Sequence, residues 1–169
     1  MALKILSEDI TKLEVDAIVN AANCELKNYA LHQGGGVCGA IFRAAGHYEL
    51  QEACDKLAPI QTGEAVITPG FNLPAKFVIH TAGPIWNGGQ SGEENLLRNC
   101  YINSLQLAVE NNLQSIAFPL ISSGIYGYPP SDALKVAVQA IKDFLVKKDL
   151  DVILTVLNKS LIDSAAMIV

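Results

Sequence analysis

The chain has 169 residues, with 12 Lys+Arg against 17 Asp+Glu and a formal net charge of −5. That length suits one domain, and 50% hydrophobic residues with only 17% charged exclude disordered, collagen-like and coiled-coil classes. The acidic balance also argues against a sequence-independent DNA binder, which needs a basic surface to displace counterions from phosphates. Any anionic ligand is therefore expected to be held by local geometry.

Taken in chain order, residues 3–6 read as an edge strand and 15–19 as a buried apolar strand. A triple glycine, Gly34-Gly35-Gly36, leads into a helix over 37–45, and a second helix over 48–57 stops near Pro59. Strands follow at 65–68 and 77–81. A long helix over 93–111 carries the apolar stripe Leu96, Leu97, Ile102, Leu105, Leu107 and Val109. Residues 116–120 form the next strand, and Ser131-Asp132 are expected to cap a helix running to about Val146. A strand over 152–157 and a final helix after Asn158 complete the chain. This alternation is the pattern of a parallel-rich sheet covered by helices in a single domain spanning 1–169.

No apolar run reaches the ~20 residues that span a bilayer, and the start becomes charged too soon for a secretory signal. The expectation is a cytoplasmic protein with no membrane partner. Cys24, Cys38, Cys54 and Cys100 form no C-x-x-C pair, and His32, His47 and His80 show no ligand spacing. Free, packed thiols and no metal or cofactor are expected.

Ligands of open α/β sheets bind beyond the carboxyl ends of strands, and two loops fit that rule. The first runs from the strand 15–19 through Asn20-Ala21-Ala22-Asn23 and the triple glycine into the helix at Val37. Three glycines remove every Cβ, so backbone N–H groups can turn onto an anion where the helix dipole adds about half a positive charge. The second reads Ile121-Ser122-Ser123-Gly124-Ile125-Tyr126-Gly127-Tyr128-Pro129 and supplies further N–H groups, two hydroxyls and an aromatic ring. Together they are expected to grip a diphosphate. No G-x-x-x-x-G-K-[ST] loop is present, and no G-x-S-x-G elbow surrounds Ser122 or Ser123. On residue chemistry alone, Asp9 serves equally as a turn or cap residue, Asn20 and Asn23 as satisfiers of loop backbone, and Tyr126 as a packed ring. His80 reads as a hydrogen-bonded structural residue, since no nucleophile pairs with it.

The ordered strings Asp9-Ile10-Thr11, Val15-Asp16-Ala17-Ile18-Val19-Asn20-Ala21-Ala22-Asn23, Gly34-Gly35-Gly36-Val37, Ala44-Ala45-Gly46, Val78-Ile79-His80-Thr81 and Ser123-Gly124-Ile125-Tyr126-Gly127-Tyr128-Pro129 resemble the macrodomain family over about residues 3–160. The resemblance implies a three-layer α/β/α fold with a mixed, mostly parallel central sheet that binds ADP-ribose. It places Asp9 on the adenine amino group and the Ile10 backbone beside the ring. Asn20 buttresses the first loop and stands with Ala22 among the ligand-binding residues, Asn23 reaches the distal ribose, and Gly34, Gly35, Gly36 and Val37 face the diphosphate. Ser122, Ser123, Gly124, Ile125 and Tyr126 wrap its other side, and Leu157 packs on adenine. Asn23 and Tyr126, at the distal ribose, are the residues expected to serve catalysis.

The activity so implied is hydrolysis of mono-ADP-ribosyl esters on acidic protein side chains, of O-acetyl-ADP-ribose, or of both. Its partners would be ADP-ribose or an ADP-ribosylated protein, bound by a monomer, with no nucleic acid. The alternative is a reader that binds ADP-ribose without turnover. Three departures bear on the choice. Cys38 stands where hydrolases of the family often carry Asp; a neutral thiol is no general base, a helix N-terminus can lower its pKa, and a small packed thiol is the expected role. Residues 24–33, with Lys27, Tyr29 and His32, form a longer segment than usual, either a lid over the distal ribose or an exposed loop. Leu157 replaces a frequent aromatic residue. The Gln-Glu-Glu that follows the triple glycine in related poly(ADP-ribose) glycohydrolases is missing, which disfavours that activity.

Overall fold

A computed structural model of the chain describes residues 2–30 and 33–165. Its elements in order are β1 (Ala2–Leu6), a 3-10 turn (Ile10–Lys12), β2 (Ala17–Ala22), α1 (Gly36–Ala45), α2 (His47–Asp55), β3 (Ala65–Pro69), β4 (Phe77–Ala82), α3 (Glu93–Glu110), β5 (Ser115–Phe118), α4 (Pro130–Leu145), β6 (Asp151–Thr155) and α5 (Lys159–Ala165). The strands pair in the order β1-β6-β5-β2-β4-β3. All neighbours are parallel except β3 and β4. The sheet is thus mixed and mostly parallel, as expected.

Alternation along each strand sorts its side chains onto two faces. Ala17, Val19, Ile79, Ile116, Phe118, Val152 and Leu154 point into one core with α3 and α4, while Ile18, Val78 and Ala117 point into a second with α1 and α2. Leu97, Tyr101, Leu105, Leu134 and Ile141 fill the first, and Ile41, Phe42 and Leu50 the second. Leu161 and Ile162 of α5 join the first core. Burying each such large apolar side chain contributes about 1.5–3 kcal/mol.

Several boundaries differ from the sequence expectation. β2 begins two residues later than 15–19 and continues through Ala22, so Asn20 lies inside a strand and not in the loop. Asn is a turn former by propensity, but here a six-residue ladder against β4 overrides it. β5 stops at Phe118, before Pro119, and β6 stops at Thr155, two residues short of Leu157. Ser131 and Asp132 do not cap α4. Pro129 is its N-cap residue, and both lie in the first turn, where Asp132 complements the helix dipole.

β2 pairs with β4 over six residues but with β5 only at Ala17 and Ile18. Beyond Ile18 the ladder to β5 ceases. The chain then leaves β2 for α1 on one face and leaves β5 for α4 on the other. Divergence of consecutive connections to opposite faces opens a crevice at the carboxyl edge, the position where α/β sheets hold ligands.

Candidate functional site

The crevice is bordered by two stretches of unspent backbone N–H groups. Gly34, Gly35 and Gly36 all take left-handed φ values, +79°, +75° and +58°, which side chains with a Cβ rarely adopt. Gly35 is the N-cap of α1, so the first N–H groups of the helix have no intrahelical partner. Gly39 allows the turn to close onto the helix. A Cβ there would lie only 2.1 Å from the Gly34 carbonyl oxygen.

Opposite, the loop after β5 is closed by its own bonds. Gly127 N donates to Gly124 O (3.0 Å), Tyr128 N to Ser122 O (2.9 Å) and Ser123 Oγ to Leu120 O (2.8 Å). Among the described residues the N–H groups of Gly124, Ile125 and Tyr126 have no protein acceptor. Ser122 carries φ +67°, and its buried hydroxyl has no partner. That hydroxyl lies over Gly83 at the exit of β4, where a Cβ would come within 2.3 Å of it. Burial pushes the Tyr126 phenol above its ordinary value, and Cys24, Glu25 and Cys38 add to the shift. Ile125 projects into solvent, 96% exposed.

Other residues singled out in the sequence take definite places. Asp9 is the N-cap of the 3-10 turn, with Oδ1 accepting from Thr11 N (3.0 Å) and Thr11 Oγ1 (2.7 Å). This satisfies the cap reading and leaves Oδ2 for another donor. Ile10 is buried beside it, and Ala22 is buried at the end of β2. Asn23 clamps Lys27, donating from Nδ2 to Lys27 O (2.8 Å) and accepting at Oδ1 from Lys27 N (3.0 Å). An amide has two N–H donors and two acceptor lone pairs, so Asn23 retains one of each. Leu157 is 77% exposed beyond the end of β6.

Residues 24–30 are bolted to α2, not hinged. Lys27 Nζ meets Asp55 Oδ1 (3.0 Å), Asn28 N donates to Gln51 Oε1 (3.0 Å), and Gln51 Nε2 donates to Leu26 O (2.9 Å). Leu26 plugs the second core. Of the two readings of the segment, the mobile lid finds no support in these bonds, while Tyr29 is exposed. His32 lies outside the described residues.

Beneath α1 runs a buried hydrogen-bond chain. Asn20 Nδ2 lies 3.0 Å from His80 Nδ1, and Thr68 Oγ1 lies 3.0 Å from His80 Nε2 while donating to Pro69 O (3.2 Å). With the Thr68 proton so engaged, His80 is the Nε2–H tautomer and accepts from Asn20 at Nδ1. Burial depresses the His80 pKa to about 3, keeping it neutral, which fits the structural role expected of it. Asn20 Nδ2 also approaches Cys38 Sγ at 3.8 Å, and Asn20 Oδ1 is left without a partner. The helix N-terminus does not lower the Cys38 thiol. Burial pushes it up, outweighing the Asn20 hydrogen bond. All four cysteines are free thiols, with Cys24 and Cys38 half-buried and Cys54 and Cys100 buried.

One residue behind the second loop escaped sequence reading. Glu93, 1% exposed, accepts from Asn87 N (2.8 Å), Gly89 N (2.9 Å) and Ser91 N (2.6 Å). Burial acts to raise its pKa, but these backbone bonds prevail and hold it below the ordinary value. The Asn87-Gly88-Gly89 breaker followed by Glu93-Glu94 was the available signal. The segment so fixed carries Trp86, whose N–H donates to Tyr126 O (2.8 Å) and whose ring packs on Tyr128 at 4.6 Å between centroids. Among the described residues no helix is long and apolar enough to cross a membrane.

A mixed six-stranded sheet between helical layers, with two N–H-rich loops at its carboxyl edge, defines a three-layer α/β domain. The Macro domain family model matches residues 19–137. A macro domain-containing protein of Chlorobaculum tepidum is 55% identical over 140 residues, covering 83% of this chain and 78% of that protein. An O-acetyl-ADP-ribose deacetylase of Escherichia fergusonii is 51% identical over 149 residues, covering 86% and 81%. The Oceanobacillus iheyensis macrodomain with ADP superposes with a TM-score of 0.87 at 42% identity, covering 98% of this chain and 90% of that one. The Trypanosoma brucei macrodomain in complex with ADP-ribose gives 0.83 at 36% identity, covering 98% and 68%. The chain belongs to the Macro domain family.

Proposed function

We propose that this macrodomain binds ADP-ribose along the carboxyl edge of its sheet and hydrolyses esters of the distal ribose, O-acetyl-ADP-ribose and mono-ADP-ribosyl esters of acidic side chains among them. The observation that carries the reading is the order of the loops. Across the sheet, β1 delivers Asp9 and Ile10, β6 is followed by Leu157, β5 by the 122–126 loop, and β2 by Asn23 and the glycine turn. Three strand spacings of about 4.8 Å make a track of about 14 Å, on which adenine, diphosphate and distal ribose lie in succession. Relatives named O-acetyl-ADP-ribose deacetylase at 51% identity support the ester chemistry.

In this mechanism the N–H groups of Gly35, Gly36 and Val37 on one side, and of Gly124, Ile125 and Tyr126 on the other, which meet no protein acceptor among the described residues, hold the diphosphate. Directed N–H dipoles in a water-poor cleft stabilise charge without reorganising. The remaining N–H and lone pair of Asn23, with a diphosphate oxygen of the ligand itself, orient a water toward the ester carbonyl, and Tyr126 closes the distal ribose end. The water adds to the carbonyl carbon, its proton passes to the departing ribose oxygen, and acid and ribose hydroxyl result. Holding the water in line removes much of the entropic barrier. Cys38 supplies no base, because its thiol stays protonated.

A second reading, binding without turnover, is favoured by that neutral thiol. Calorimetric titration with ADP-ribose, beside release of acetate from O-acetyl-ADP-ribose and of ADP-ribose from a glutamate-modified protein, separates the two. Binding with release is expected. Binding with no release at high enzyme concentration leaves the reader, and absence of binding removes both. We further propose that the chain acts as a cytoplasmic monomer.

A further inference from the structure

We propose that Arg43 is a positioning residue that aims the glycine turn at the diphosphate, with residues 24–30 as its fixed support; this rests on the ADP-ribose reading of the site. Arg43 stands exposed on α1, and its Nη1 donates to two carbonyls at once, Ala30 O at 3.1 Å and Gly34 O at 3.0 Å. Three consecutive glycines in left-handed conformations have little of their own to hold them, because glycine pays the largest entropy on ordering. The turn is gripped from outside instead.

The peptide unit joining Gly34 to Gly35 is planar and trans, so its carbonyl and its N–H point in opposite directions. Tying Gly34 O toward Arg43 and into the space left by the missing Cβ of Gly39 turns the Gly35 N–H away from α1 and toward the crevice. A second contact fixes the other side. A Cβ on Gly35 would lie 2.5 Å from the Cβ of Ala30, so the end of the 24–30 segment seats directly on the turn. Ala30 is itself held by Asn28, whose Oδ1 accepts from Ala30 N (3.1 Å) and whose Nδ2 donates to Ala30 O (3.2 Å). Asn28 continues to Gln51 and His47 on α2, at 3.0 and 3.2 Å. An unbroken run of bonds therefore joins α2, the segment, Arg43 and the glycine turn. Its other end, Lys27, is the clamp on Asn23. Thus the segment couples the anion turn to the residue that orients the water.

The test uses the intact protein, Arg43→Ala and Arg43→Lys, with two ligands and one readout independent of ligand. ADP-ribose affinity should fall about tenfold in Arg43→Ala, the loss of one charge-assisted bond pair, and recover in part in Arg43→Lys. Adenosine, which lacks the diphosphate and is followed by NMR shifts, should bind all three proteins alike. Backbone 15N NMR order parameters at Gly34–Gly36 should fall in Arg43→Ala with no ligand present. Unchanged ADP-ribose affinity, unchanged order parameters, or an equal loss for adenosine would each overturn the positioning role. If the unaltered protein fails to bind ADP-ribose, the functional reading falls, while the order parameters still decide whether Arg43 holds the turn.

Discussion

Asn23 holds Lys27 with both ends of its amide and still keeps one donor and one acceptor free. Replacing it with Ala removes the water contact while the N–H groups that hold the diphosphate stay in place. Turnover should therefore fall about a hundredfold, with ADP-ribose affinity nearly unchanged by calorimetry, and a parallel loss of both would assign Asn23 to the scaffold alone. Cys38 offers the complementary probe. Its thiol is half-buried and neutral, yet an N–H of Asn20, oriented by His80, already points at it. A carboxylate placed there by Cys38→Asp would accept that bond and act as general base. Ester hydrolysis should speed up by about a hundredfold, with a pH profile that falls on acidification. A rate equal to that of the unaltered protein would place water activation wholly on the ligand and Asn23.

At the scale of elements, the loop behind the site hangs on one carboxylate. Glu93 is held below the ordinary Glu range by Asn87, Gly89 and Ser91, so its contribution to stability is complete above that range and is lost as pH falls through its own lower value. Glu93→Gln keeps the shape but exchanges one acceptor for a donor. The variant should be less stable to urea at pH 7 and should lose less stability than the parent on acidification, and equal slopes for the two proteins would count against this account.

The same scale shows what the sequence made legible. The triple glycine and the Ser122–Tyr126 string announce themselves because their chemistry is local, and each lies where expected. The existence of all six strands was likewise readable from apolar runs. The end of β2 was not, since Asn20 prefers turns until β4 arrives beside it from 60 residues away. Arg43 was silent because its partners are backbone carbonyls, which carry no residue-specific mark in a sequence, and Glu93 left only the Asn87-Gly88-Gly89 breaker ahead of it as a signal.

For the whole molecule, a net charge of −5 coexists with the proposed anion site made of N–H dipoles. Such a site has few mobile counterions to release, unlike a phosphate-binding surface of lysines. ADP-ribose affinity should change by less than about threefold between 50 and 500 mM salt, measured by calorimetry, whereas a steep decline would indicate that side-chain cations carry the binding. The strand order that lays the loops out in sequence also means that no single loop builds the site. Four connections, from four strands, each contribute a part.

The contact between Trp86 and the second loop has one more consequence. Trp86 is the sole tryptophan of the chain, packed on Tyr128 and bonded through its backbone N–H to Tyr126 O. The protein thus carries its own optical gauge. Ligand that draws the 122–126 loop inward should alter the tryptophan emission of the unlabelled protein, and that signal should saturate with the same midpoint as the heat of binding.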